Sequence, residues 1–256
     1  MCTAVILRRS GHDWPILFAG NRDEMADRRW RPPARHWPDR PEVTAGQDVL
    51  AGGSWLGVND HGVLAAVLNR KGSLGPAADK RSRGELVLEA LDHADANYAA
   101  EALSHLDPAA YRSFNLVIAD SRDAFWLRNL GAGAERVEAF GLPDGISMIT
   151  AFDRNDSSSS ARVRRYLPRF EASNAPDPES GDWKGWRDIL ASRDREADAG
   201  PEGGMTVSLA SGFGTVSSSL VGLPNSVSAS RFEPRPPVWL FAAGPPDRVA
   251  YLPITL

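Results

Sequence analysis

Short apolar runs, each too brief for a helix of ordinary length, occupy both ends of this chain, and helical periodicity appears only between them. Residues 3–9 and 15–20 read as strands, and Gly11-His12-Asp13 between them has the turn chemistry of a hairpin. Residues 28–41, rich in Pro, Arg and Trp, read as an irregular loop. Residues 54–59 and 62–69 form two more strands across an Asp60-His61 turn. Ser82-Arg83-Gly84-Glu85 fits a capping box ahead of an apolar periodic run, which predicts a helix over 82–105. Strands follow at 114–119, 124–128 and 146–152, then a polar loop at 153–160. Helices are expected at 161–172 and 182–192, with a charged, Gly-rich and mobile stretch at 193–204. The chain returns to strands at 214–222, 237–243 and 249–252. Strands, helix, strands, helices, strands is the order of two antiparallel sheets with helices outside them. An α+β, four-layer αββα sandwich is therefore expected, not a doubly wound parallel sheet.

The chain has 256 residues, 42% of them hydrophobic, ample for a buried core. A net charge of −4 gives no electrostatic reason to expect nucleic acid or an anionic membrane as partner. No apolar run approaches the ~20 residues of a membrane span. The apolar stretch near the start is too short for a signal-peptide core, so a cytoplasmic protein without stable membrane insertion is expected. One Cys in the whole chain precludes an intramolecular disulfide and a CxxC zinc site. His12, His36, His61, His93 and His105 show no HxH or HxxxH spacing, and no metal site is expected.

The single Cys is Cys2. Removal of Met1 would place an α-amine, with a pKa near ~7.7–8.0, on the same residue as a nucleophilic thiol. The position equally suits an incidental small residue that begins an edge strand. Asn21-Arg22-Asp23-Glu24 closes the second strand, so the hairpin brings it toward Cys2. Alternation puts Asn21 and Asp23 on one face and Arg22 and Glu24 on the other. An Arg there lowers a thiol's pKa and an Asp orients an amine, while a solvated ion pair at a strand end explains the same residues. Gly52-Gly53-Ser54-Trp55-Leu56-Gly57 suits close approach to a ligand, or a bulge packed by Trp55. Asn69, at a strand end, suits an oxyanion donor or an ordinary turn.

These pieces together resemble one family. Met1-Cys2, Asn21-Arg22-Asp23-Glu24, Gly53-Ser54-Trp55-Leu56-Gly57, Asn69, Arg83-Gly84-Glu85-Leu86-Val87, Phe114-Asn115-Leu116 and Gly214-Thr215-Val216-Ser217-Ser218 occur in the order and spacing of the NRDE proteins, the transport and Golgi organisation protein 2 family. Three features depart from its pattern. Val216 stands where members commonly carry Arg, residues 141–156 lack the usual G-x-x-G-L-S-N, and Arg231-Phe232-Glu233 replaces a longer acidic-aromatic strand. The resemblance implies a single domain over 1–256 with the fold of the N-terminal-nucleophile (Ntn) hydrolases. Choloylglycine and penicillin acylases of that fold also begin with Cys, but use R-x-x-D where Arg22 and Asp23 are adjacent here.

Two functions follow from the resemblance. The first is a Cys hydrolase or acyltransferase acting on a non-peptide C–N bond of a small amide through a thioester, without a cofactor. Cys2 is its nucleophile, Arg22 the thiol activator, Asp23 the amine orienter and Asn69 the oxyanion donor, with Asn21, Glu24, Ser54 and Trp55 contacting substrate. The second is haem binding or haem trafficking on the same fold. Trp14, Trp30, Trp37 and Trp55 would line the pocket, with Cys2, a His or a Met as axial ligand.

Overall fold

The computed structural model describes residues 2–131, 133–225 and 235–256. Met1 and the Arg231-Phe232-Glu233 segment lie outside them.

In the N-terminal half, strands β1 (Thr3–Arg8), β2 (Ile16–Met25), β3 (Trp30–Ala34), β4 (Val43–Asp48), β5 (Leu56–Asn59) and β6 (Leu64–Asn69) precede helices α1 (Gly84–Leu91) and α2 (Ala96–Ser104). Strands β7 (Phe114–Ala119), β8 (Ala124–Asn129), β9 (Glu138–Gly141) and β10 (Gly145–Ile149) come next. Helices α3 (Ala161–Ala172) and α4 (Lys184–Ala191) follow, then β11 (Phe213–Leu223), β12 (Val238–Ala242) and β13 (Leu252–Pro253). One sheet runs β10-β1-β2-β11-β12-β13 and the other β3-β4-β5-β6-β7-β8-β9. Every pairing between these strands is antiparallel.

Alternation along each strand sorts the core into three sheets of side chains. Ala4, Ile6, Ile16 and Phe18 of the first sheet meet Leu56, Leu64, Ala66 and Trp126 of the second. The opposite face of the first sheet, through Val5, Leu17 and Ala19, packs on Tyr166, Phe170 and Trp186 of α3 and α4. The opposite face of the second, through Ala45, Ala65 and Leu116, packs on Leu86, Val87 and Ala100 of α1 and α2. The result is the expected α+β sandwich in four layers, αββα.

Several elements differ from the expectation. Residues 28–41 contain β3, which pairs with β4, a strand the period-2 pattern did not single out. The edge strand β9 was also unforeseen, because three of its four residues are exposed and it lacks an apolar face. The helix predicted over 82–105 is two helices. Asp95 adopts an extended backbone and its carboxylate accepts from Tyr98 N, so a new helix starts inside the periodic run. The capping box does not close either: Glu85 pairs with Arg81, and the residue at the N-cap, Arg83, makes no side-chain cap bond.

The two glycine motifs explain one another. Gly53 packs on Gly84, and Ser54 N donates to Gly84 O at 2.9 Å. A Cβ on Gly53 would sit 2.4 Å from the Gly84 carbonyl carbon. Gly53→Ala should therefore cost about 1–3 kcal/mol, read from urea unfolding. A loss below about 0.5 kcal/mol, the range of an unremarkable surface change, would show that the backbones part freely.

Candidate active site

Thr3 pairs with Asn21, so Cys2 falls beside Arg22 at the open end of the hairpin. Even-numbered residues of β1 and β2 face the second sheet and odd-numbered ones face α3 and α4. Cys2 and Arg22 thus share the inter-sheet face, whereas Thr3, Asn21 and Asp23 point to the helix layer. Cys2 meets Asp23 through the backbone. Asp23 N donates to Cys2 Sγ at 3.4 Å, and Sγ lies 3.5 Å from Asp23 O.

The Asp23 carboxylate is buried and held on both oxygens. Oδ2 accepts from both terminal nitrogens of Arg162 at 3.1 Å, and Oδ1 accepts from Thr215 Oγ1 at 2.6 Å. Arg162 also donates to Thr3 Oγ1 at 2.7 Å and to Glu202 O at 2.8 Å. Thr215 reaches Asp23 where β11 bulges. The register against β2 shifts between Thr215 and Ser217, and Val216 is the extra residue.

Arg22 is buried between the sheets. Its guanidinium lies 4.2 Å from the Trp55 ring centre and 3.5 Å from Asp48 Oδ2, and its Nη1 has no hydrogen-bond partner among the described residues. Burial pushes the Cys2 thiol up, and the Asp23 carboxylate pushes the same way, against a smaller downward pull from Arg22. The expectation that Arg22 activates the thiol by lowering its pKa is therefore outweighed. Together, burial and the carboxylate favour the neutral thiol over the thiolate.

Cys2 and Asp23 line one cleft of about 440 Å³. Asn69, at the end of β6, lines it too, and its amide makes no hydrogen bond to any described residue. Ala151 and Phe152, just after β10, and Ser159 to Arg162, at the start of α3, also line it. Asn115, fully buried, holds the walls together. Its Nδ2 donates to Thr150 O and Phe152 O at 2.9 and 2.8 Å, and its Oδ1 accepts from Arg70 and Trp126.

Cys2, Asp23 and Asn69 come together at this cleft, with Arg22 behind the thiol. Asn21, Glu24 and Ser54 do not line it. The Asn21 amide is spent on Leu190 O and Met205 O beneath α4, and Ser54 Oγ on its own turn through Leu56. Glu24 pairs with Arg28 and Arg22. Trp55 supports Arg22 and borders only a small cavity of about 30 Å³ behind Cys2. Arg162, Thr215 and Asn115 were not foreseen as parts of a site. For Arg162 a signal existed: it sits with Val163, Tyr166 and Phe170 on the buried face of α3, where an unpaired charge would be costly.

Trp30 and Trp55 pack between the sheets, Trp37 against α1 and α2, and Trp14 against α3 and α4. Among the described residues, none of these four Trp, no His and no Met lines the large cleft, and Trp55 lines the small cavity behind Cys2.

A family model described as "Transport and Golgi organisation 2" matches residues 1–164. The transport and Golgi organization protein 2 homolog of Bos taurus is 37% identical over 121 residues, which cover 43% of this chain and 41% of that protein. The match thus spans about two fifths of the relative's own length. An N-acylethanolamine-hydrolyzing acid amidase ortholog from Caenorhabditis elegans superposes with a TM-score of 0.56 at 13% identity, covering 90% of this chain and 95% of its own. Penicillin V acylase from Agrobacterium tumefaciens gives 0.54 at 14% identity, covering 94% and 83%. At these identities the likeness establishes a shared Ntn-hydrolase-like fold.

Proposed function

The chain belongs to the transport and Golgi organisation 2 family, and on that premise we propose that it is an N-terminal-nucleophile amidohydrolase or acyltransferase acting on a small amide through a thioester on Cys2. The observation that carries this reading is the convergence of the Cys2 thiol, the anchored Asp23 carboxylate and the uncommitted Asn69 amide on one cleft. The amidase and acylase of like fold named above act on amides, which supports it further.

Removal of Met1 leaves an α-amine on Cys2, beside Asp23. The amine takes the thiol proton, and Asp23 orients the resulting ammonium. The thiolate attacks the amide carbonyl, the C–S bond forms, and Asn69 donates to the oxyanion. The C–N bond then breaks as the ammonium protonates the departing amine. Water, or an acceptor amine, gives a proton to the α-amine and attacks the thioester, releasing the acid or new amide and restoring the thiol.

Acyl capture tests this. Intact mass of the purified protein should show Met1 absent. Brief incubation with a panel of small N-acyl substrates should add one acyl mass, discharged by hydroxylamine. Retention of Met1 in an active protein would rule out the α-amine as base.

A further inference from the structure

We propose that the cleft selects amides carrying an anionic group and that Lys71 at its mouth is the residue that recognises the charge; the proposal rests on Cys2 being the acyl-transfer centre. Among the described residues, Arg70, Lys71 and Arg162 are the cationic side chains lining the cleft. Two are committed: Arg70 donates to Asp153 at 2.7 Å, and Arg162 is locked to Asp23. Lys71 has no carboxylate partner among the described residues. Its backbone is fixed, since Lys71 N donates to Ala151 O at 3.0 Å across the cleft wall. Its ammonium stands 5.6 Å over the ring of Phe152, itself a lining residue. The cation is thereby kept beside the cavity.

The surroundings reinforce the sign. The twelve-residue helix α3 begins in the cleft wall, where Ser159, Ser160 and Ala161 bring its positive end to the cavity. Asn69, the oxyanion donor of the proposed reaction, is two residues before Lys71. A substrate with its carbonyl at Cys2 would therefore share the cleft with the ammonium. Apolar Leu74 and Phe213 complete the wall, so the substrate class is an amide with an apolar body and a terminal carboxylate, phosphate or sulfonate. The competing charge is Glu202, which has no cationic partner among the described residues. It is exposed on the turn Pro201–Gly203 and would favour cationic substrates.

Alkylation of the protein's single thiol separates these alternatives without any amide turnover. Iodoacetate and iodoacetamide react by the same displacement of iodide and differ mainly in charge. The ratio of their rates at Cys2 is read by intact mass. Lys71→Met should lower the iodoacetate-to-iodoacetamide ratio about five-fold at low salt. Lys71→Arg should preserve it, and high salt should erode the wild-type value. An unchanged ratio in Lys71→Met, a ratio that moves only in Glu202→Gln, or a folded protein alkylated by neither reagent would overturn the proposal. A Lys71-dependent ratio in a protein inert to every amide keeps the charge selectivity and removes the acyl-transfer reading. Cys2-dependent amide turnover with no effect of Lys71 does the reverse.

Discussion

Cys2→Ala should lower any amidase or acyl-transfer turnover by about three orders of magnitude or more, because the covalent intermediate can no longer form. Cys2 is the only Cys in the chain, so no second thiol can take over. The fold should survive. Cys2 precedes β1 and is only partly buried, and its Sγ makes weak contacts to one backbone position. Truncation should cost about 1 kcal/mol, well below the ~2–5 kcal/mol of emptying a large core aliphatic site. Cys2→Ser is the informative companion, since it keeps an α-amine and a hydroxyl. Slow residual turnover in Cys2→Ser would mark the amine as base. The measurements are turnover on small N-acyl substrates, a thermal melt and an intact mass for each variant. Full turnover in Cys2→Ala, with the same processed N-terminus, would remove the nucleophile role.

Arg162→Met should destabilise the fold by about 3–5 kcal/mol, the cost of leaving one member of a buried ion pair without its partner. The Arg162 and Asp23 side chains are 1% and 0% exposed, so water cannot replace the lost guanidinium. The same change strips donors from Thr3 Oγ1 and Glu202 O. Asp23→Asn with Arg162→Met removes both charges, and should recover more than half of the loss. Urea unfolding of the two single variants and the double completes the cycle. A single-variant loss below 1 kcal/mol, or a double variant no more stable than Arg162→Met, would show that the pair is not what holds Asp23. Where the variants remain folded, acyl capture on Cys2 should fall with Asp23→Asn, because the amine loses the carboxylate that orients it.

The residues that converge on the cleft were legible to differing degrees. Cys2 and the Asn21–Glu24 quartet could be brought together in sequence because a hairpin with a short turn leaves few registers. The observed Thr3–Asn21 pairing lies within that set. The direction in which each side chain points was not legible. Asn21 and Asp23 share a face, yet Asn21 is consumed by carbonyls under α4 while Asp23 borders the cleft. That difference depends on where α3 and α4 land, a packing outcome set by residues more than a hundred positions away. Ser54 looked available for a ligand only because a small polar residue among glycines says nothing of its partners. Its hydroxyl closes its own turn.

The sequence by itself determined the family, an architecture of antiparallel sheets with helices outside them, and the identity of the single thiol. Each is carried by short-range information: period-2 alternation, turn chemistry, and motifs read within a few residues. The tertiary structure decided the partners. Asp23 is held by Arg162 and Thr215, contributed by a helix and a bulged strand 139 and 192 residues away. Asn115 ties Arg70 to the wall at Thr150 and Phe152. The sign of the thiol's pKa shift was likewise a tertiary matter. An Arg beside a Cys in sequence logic lowers the pKa, but burial and a neighbouring carboxylate outweigh it, and both exist only once the sheets and helices have closed around Cys2.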